Sequence, residues 1–274
     1  MMDAQGQQWG MGSKKLVDVD KDTYWDERGL ERPVPVYTSQ WPLAEQSLQT
    51  FELPVDLATP PGEYTVICRV HPKNGWDGLP VISPEGHAEG YDVPVGRVTV
   101  NRAAQPPDLE QLALERRAST QVAPGARLAG YAPIAVEVRP GDQLGLSLVW
   151  QTQAAMSEDY DLIVALHGND WESRQTYAPA RADYPTTQWL PGEVLRGRYA
   201  FPVNAELPNG DYALRAWWQD GRGQRVGETC YLGAVRVAGR ERLYRVPAIG
   251  QPFDVGYGGV RSEERRVGKE CMPV

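Results

Sequence analysis

Between Gln143 and Trp150 the chain reads Gln-Leu-Gly-Leu-Ser-Leu-Val-Trp, an alternation of apolar with small or polar residues that predicts a half-buried β-strand. Pro140-Gly-Asp142 supplies the turn before it. The same reading predicts strands over Arg127–Tyr131, Tyr160–His167, Val194–Val203, Tyr212–Trp218 and Tyr231–Val237. Six strands within about 110 residues, with turns roughly every 8–12, predict an antiparallel sandwich.

The pattern recurs. Thr38–Val66 and Thr186–Leu214 align without a gap at an offset of 148 and share nine identities in 29 positions. About two would arise by chance, so duplication of one supersecondary unit is the better account. Trp41/Trp189, Gly62/Gly210 and Tyr64/Tyr212 are among the identities. Upstream, Leu16–Trp25 parallels Leu162–Trp171; downstream, Gly96–Val100 parallels Gly233–Val237, with a loop eleven residues shorter in the second copy.

These matches set the expected organisation as all-β: two tandem antiparallel immunoglobulin-like β-sandwich modules, the first incomplete. Residues 1–100 form the incomplete module, 101–125 a linker, 126–238 the complete module, and 239–260 a further linker with the start of a third repeat at Phe253–Gly258. The first module is expected to lack two strands and to expose an unpaired edge, with Met1–Ser13 irregular. In the first linker Pro106-Pro107 breaks structure and Leu109–Arg117 is expected to form a short helical turn. Residues 261–274 stand apart. Arg261–Cys271 resembles a common short-read sequencing adapter translated in frame, is expected to be foreign to the fold, and leaves the natural chain continuing past Val260.

Composition narrows the function. The 274 residues suffice for two cores. The formal charge is −8; without the adapter-like run 24 basic face 33 acidic residues, which argues against a nucleic-acid partner. No apolar run nears the roughly 20 residues of a membrane span, so the chain is not expected to insert directly. Met1–Gly12 lacks the basic and apolar regions of a secretory signal. Cys68, Cys230 and Cys271 lie too far apart in sequence to suggest a disulfide framework, and alternation places Cys68 with Tyr64 and Val66 as a buried small hydrophobe.

Pro60-Pro-Gly-Glu-Tyr64 and Pro208-Asn-Gly-Asp-Tyr212 resemble the tyrosine corner of immunoglobulin-type sandwiches, although Val66 and Leu214 stand where antibody domains carry cysteine. Tyr160–His167, Tyr184-Pro-Thr-Thr-Gln-Trp189, Pro191-Gly-Glu193, Pro202 and Pro208–Tyr212 together resemble the β-sandwich repeats at the extracytoplasmic C-terminal end of bacterial multi-pass glycosyltransferases of the protein O-mannosyltransferase-like class. The resemblance covers most of Arg127–Val237 and, more weakly, Leu16–Val100. It implies an accessory module on the cell exterior whose partners are cell-surface polysaccharide or the membrane part of its own parent chain. Catalysis in that class belongs to the membrane-embedded part.

Candidate chemistry is sparse. Asp18-Val-Asp-Lys-Asp22 has the acidic spacing of a calcium loop, but Thr23 and Gly29 occupy the positions that need Gly and a bidentate Glu. His71, His87 and His167 show no ligand spacing. No catalytic, cofactor-binding or metal residues are therefore assigned, and no cofactor is expected. Trp189, Trp41 and Trp218 remain as carbohydrate contacts, against the alternative that Trp41 and Trp189 close the ends of their sandwiches. Trp217 and Trp218 are adjacent on one strand, so one points in and one out. Three roles follow in order: a glycan-contacting or spacing accessory module, an adhesin or surface-array repeat, and last a β-sandwich carbohydrate-active enzyme.

Overall fold

The computed structural model describes residues 1–12, 23–25, 31–33, 51–72, 78–112, 114–132, 134–168, 171–239, 256–257 and 260–261. The chain is all-β. Its strands are β1 (Thr23–Trp25), β2 (Glu31–Pro33), β3 (Gly62–Cys68), β4 (Val93–Val100), β5 (Arg116–Ala123), β6 (Ala126–Tyr131), β7 (Glu137–Val138), β8 (Gln143–Thr152), β9 (Asp161–His167), β10 (Glu172–Tyr177), β11 (Val194–Pro202), β12 (Gly210–Gln219), β13 (Arg225–Val237), β14 (Gly256–Tyr257) and β15 (Val260–Arg261).

A five-stranded sheet, β10-β9-β12-β13-β7, and a four-stranded sheet, β11-β8-β6-β5, share one apolar core. Leu144, Leu146, Leu148 and Trp150 alternate along β8 and meet Leu162, Val164 and Leu166 of β9 and Leu214, Ala216 and Trp218 of β12 in that core. The predicted alternation thus translates directly into an inner face. All pairings are antiparallel except β13–β7, where Arg236 and Val237 run alongside Glu137 and Val138. Trp150 Nε1 donates to the Tyr199 hydroxyl at 3.1 Å, and that hydroxyl donates to Pro179 O, so the buried polar atoms at this point are satisfied.

Among the described residues the N-terminal unit is smaller. Here β3 and β4 form a hairpin over a core of Trp9, Tyr64, Met1, Leu53 and Val100. The Tyr64 hydroxyl donates to Pro60 O at 2.6 Å, and Tyr212 donates to Pro208 O at 3.0 Å. Both hairpins also change register at the same place: Gly96 pairs Val66 and Pro94 pairs Ile67, while Gly233 pairs Leu214 and Tyr231 pairs Arg215. An extra residue thus falls on β4 and on β13 at corresponding positions.

Several expectations need correction. The stretch read as a linker, 101–125, contributes β5 to the four-stranded sheet, and the described residues of Leu109–Arg117 hold no helix; a turn closed by Gln111 N to Asp108 O precedes the strand. Met1–Gly10 is not irregular. Met2 exchanges both backbone hydrogen bonds with Thr65, so the β3 edge is not bare there, and Asp3 accepts from Gln5 N, Gln7 N and Trp9 Nε1. Cys68 is exposed, because the cover over Tyr64 stops short of the far end of β3, whereas Cys230 is buried. Burial pushes the Cys230 thiol up to about 12. Asp18–Asp22, Trp41 and most of 239–274 lie outside the described residues.

The two units share a joint built on arginines. Arg181 stacks over the Tyr64 ring at 4.4 Å, donates to Glu63 O at 2.8 Å and pairs with Asp183. A side chain at Gly62 would collide with this guanidinium, and its φ of +146° suits glycine besides. Arg198 pairs with Asp56 and donates to Gln8 O at 3.1 Å; Arg196 N donates to Ala58 O at 2.7 Å. Beneath them Val149 and Val194 pack with Leu112 and Ala129 against Ala58 and Leu109. Within the aligned stretches Leu48 and Thr50 stand opposite Arg196 and Arg198, so these two arginines are not part of the sequence repeat.

Tyrosine burial gives the fold an alkaline limit. Burial, partly offset by Arg181, pushes the Tyr64 hydroxyl up to about 12, and burial does the same to Tyr177. Burial raises Tyr199 further. A phenol whose folded pKa exceeds its unfolded value keeps a proton that the unfolded chain has lost. Stability is therefore complete below pH 10 and falls as pH rises through 12. For fully buried Tyr64 the loss is on the order of 2 kcal/mol. Urea midpoints taken alongside phenolate absorbance should fall across this window; a flat midpoint would contradict the burial assigned to these rings.

Candidate functional site

Along β12, Tyr212, Leu214, Ala216 and Trp218 face the core, leaving Ala213, Arg215, Trp217 and Gln219 on the outer face of the five-stranded sheet. Register then decides what surrounds Trp217. Ala165 of β9 pairs with both Arg174 of β10 and Arg215 of β12, and Ile163 pairs with Trp217. Ala165 is the smallest side chain on this part of β9, and its brevity leaves a shallow depression of about 350 Å³ between the flanking arginines. Arg225 and Thr229 of β13 complete one wall, with Arg225 donating to Thr229 Oγ1 at 3.0 Å.

The electrostatics are lopsided for a chain of net charge −8. Arg174, Arg215 and Arg225 line the depression against one carboxylate, Glu172. Burial pushes the Glu172 carboxyl up, but hydrogen bonds from Arg174 and His167 outweigh it and hold the group below the usual carboxylate range. His167 Nδ1 lies 3.0 Å from Glu172 Oε2, and Arg174 also pairs with that carboxylate. The Arg174 guanidinium sits 5.9 Å from the Trp217 ring centroid, which orients the indole. Among the described residues Arg215 has no carboxylate partner.

Of the residues singled out from sequence, the two that are described, Trp189 and Trp218, fall elsewhere. Trp189 and Trp218 are fully buried and cannot stack on a sugar. They meet edge-on at 5.7 Å, with Trp150 5.2 Å and Tyr160 5.8 Å from the Trp218 ring, and Trp189 Nε1 donates to Tyr184 O at 3.1 Å. Trp189 arrives on the β10–β11 connection and plugs the sandwich end. The outward member of the β12 pair is Trp217, a residue the strand phase could have identified: once Tyr212 is buried at the corner, every second residue after it is inward. Trp171 is exposed. In the N-terminal hairpin Arg69 stands at the Trp217 position and is held by Asp92 through bonds of 2.6 and 2.7 Å, so the depression is not repeated there.

Among the described residues no three His, Cys, Asp or Glu side chains gather as metal ligands, and no helix is long and apolar enough to cross a membrane. No protein-family model matches the chain, and no curated protein matches it.

Proposed function

We propose that the chain is an extracytoplasmic, non-catalytic pair of immunoglobulin-like modules that contacts glycan through the Trp217 depression, as an accessory region of a membrane glycosyltransferase. The strand order supports the immunoglobulin-like assignment: β8 beside β11 in one sheet, β9-β12-β13 in the other, with a tyrosine corner opening β12. Duplication is supported by the paired corners and the corresponding register changes of the two hairpins. The observation that carries glycan contact is an outward indole beside unpaired arginine on an otherwise acidic chain, where sugar rings can stack and hydroxyl or acidic groups can be bound. The depression holds a single carboxylate, already paired, and glycoside hydrolysis needs two.

Glycan-array binding by the full chain tests this. Retained binding to at least one acidic or neutral polysaccharide, lost about tenfold or more in Trp217→Ala and largely kept in Trp171→Ala, is the expected result. Equal binding by wild type and Trp217→Ala, with the fold intact by circular dichroism, would refute the assignment of this face.

A further inference from the structure

On the opposite side of the sandwich, where the N-terminal unit covers the four-stranded sheet, a cleft of about 670 Å³ opens between the two. Arg196 and Arg198 of β11 and Ser147 of β8 line it from the sandwich, Gln7 and Asp56 from the other unit. Arg198 is neutralised by Asp56. Arg196 is not. Its residue is only 8% exposed, its Nε has no partner, and its one side-chain bond among the described residues runs from Nη1 to Ser147 Oγ at 2.9 Å. A guanidinium offers five N–H donors in a fixed fork suited to planar or tetrahedral oxyanions. Burying such a charge without a counterion is strongly unfavourable, and a cleft roomy enough to admit one lies against it. The neighbouring Arg198 points to the same side of β11, about 6.6 Å along the strand.

We infer that this cleft binds an oxyanion group, a carboxylate, sulfate or phosphate carried by a small ligand, with Arg196 as its principal partner and Ser147 and Arg198 flanking it. Because Gln7 and Asp56 form the other wall, the occupant touches both units and tightens the joint. The site is independent of the Trp217 face, and its failure would leave that reading intact.

Thermal unfolding of the full chain, titrated with sodium phosphate, sulfate or acetate against chloride at matched ionic strength, tests the inference. A saturable rise in Tm of about 5 °C at a hundredfold excess over Kd is expected for at least one anion. Comparing acetate with phosphate and sulfate separates a carboxylate site from a tetrahedral one. Arg196→Met should abolish the saturable rise and leave only the non-saturating effect that sulfate has on any protein; without anion it should melt no lower than wild type. Arg196→Gln, which can still bond Ser147, gives the same readout if the methionine variant folds poorly. Absence of a saturable rise in wild type, or an equal rise in the variants, overturns the inference. Titration calorimetry of wild type with phosphate, sulfate and acetate supplies a second measure: no one-to-one heat with any of the three also overturns it.

Discussion

Replacing Trp218 with alanine should cost the sandwich about 3–5 kcal/mol, while the same change one residue earlier, Trp217→Ala, should cost under about 1 kcal/mol. Trp218 is fully buried and is the hub of three aromatic contacts, to Trp150, Trp189 and Tyr160, which tie β8, β12 and both loop ends together. Removing the indole leaves a hole that flanking strands, pinned by ladder hydrogen bonds on both sides of β12, cannot close. Trp217 touches solvent on the other face, where water refills the space. Trp218→Phe should fall between them, because the Trp218 Nε1 has no partner to lose and a phenyl ring keeps part of the contact. Urea denaturation of the three variants reads this order directly. A Trp217→Ala loss as large as that of Trp218→Ala would mean the faces of β12 are assigned the wrong way round.

That contrast also orders the functional argument. A tryptophan in a sandwich is first a source of buried area, and here Trp150, Trp189 and Trp218 are all spent on closing the core. Only a ring whose strand phase turns it away from the core can meet a ligand. On β12 the buried corner residue Tyr212 fixes that phase: Leu214, Ala216 and Trp218 turn inward, and Trp217, five residues after the corner, is left on the outer face.

Strands with a marked apolar pattern were legible: β8, β11 and β12 through apolar residues at alternate positions, β9 through a continuous apolar run, and β6 through a short one. Of β13 only the second half, Tyr231–Val237, was placed and Arg225–Cys230 was not. The strands that escaped notice are edge strands. In β10, Glu-Ser-Arg-Gln-Thr-Tyr carries almost no apolar signal, and in β5, Arg-Arg-Ala-Ser-Thr-Gln-Val-Ala carries it only at Ala118, Val122 and Ala123. Each is paired on one side alone, and β5 enters the core only at its end, through Val122 and Ala123, so ladder hydrogen bonds hold most of both strands. Two-residue β7 is too short for any period to register. The tyrosine corner was legible because its chemistry is local, a turn and a hydroxyl returning four residues. The joint was not, since Arg181 reaches a carbonyl 118 residues away and nothing in its own neighbourhood marks it.

That joint yields the second large expected effect. In Arg181→Met, amide exchange along β3 should accelerate by about 10²-fold while β8, β9 and β12 keep their protection. The change removes a desolvated cation–π contact and a charge-assisted bond to Glu63 O, together worth about 2–3 kcal/mol. Asp183, the ion-pair partner, is half exposed and is resolvated at little cost, so the loss is confined to what Arg181 supplies to the N-terminal unit. Among the described residues the guanidinium bonds to Glu63 O and Asp183 and lies over the Tyr64 ring, so the core of the sandwich should not open with its loss. Arg181→Lys keeps charge over the Tyr64 ring but not the planar fork, and should recover part of the protection. Tyr64→Phe separates the two roles of that ring: it loses the hydroxyl bond to Pro60 yet keeps the face on which Arg181 lies, so its β3 exchange should rise less than in Arg181→Met. If β3 exchange were unchanged in Arg181→Met, the N-terminal hairpin would be holding itself together, and the joint would be a contact without mechanical consequence.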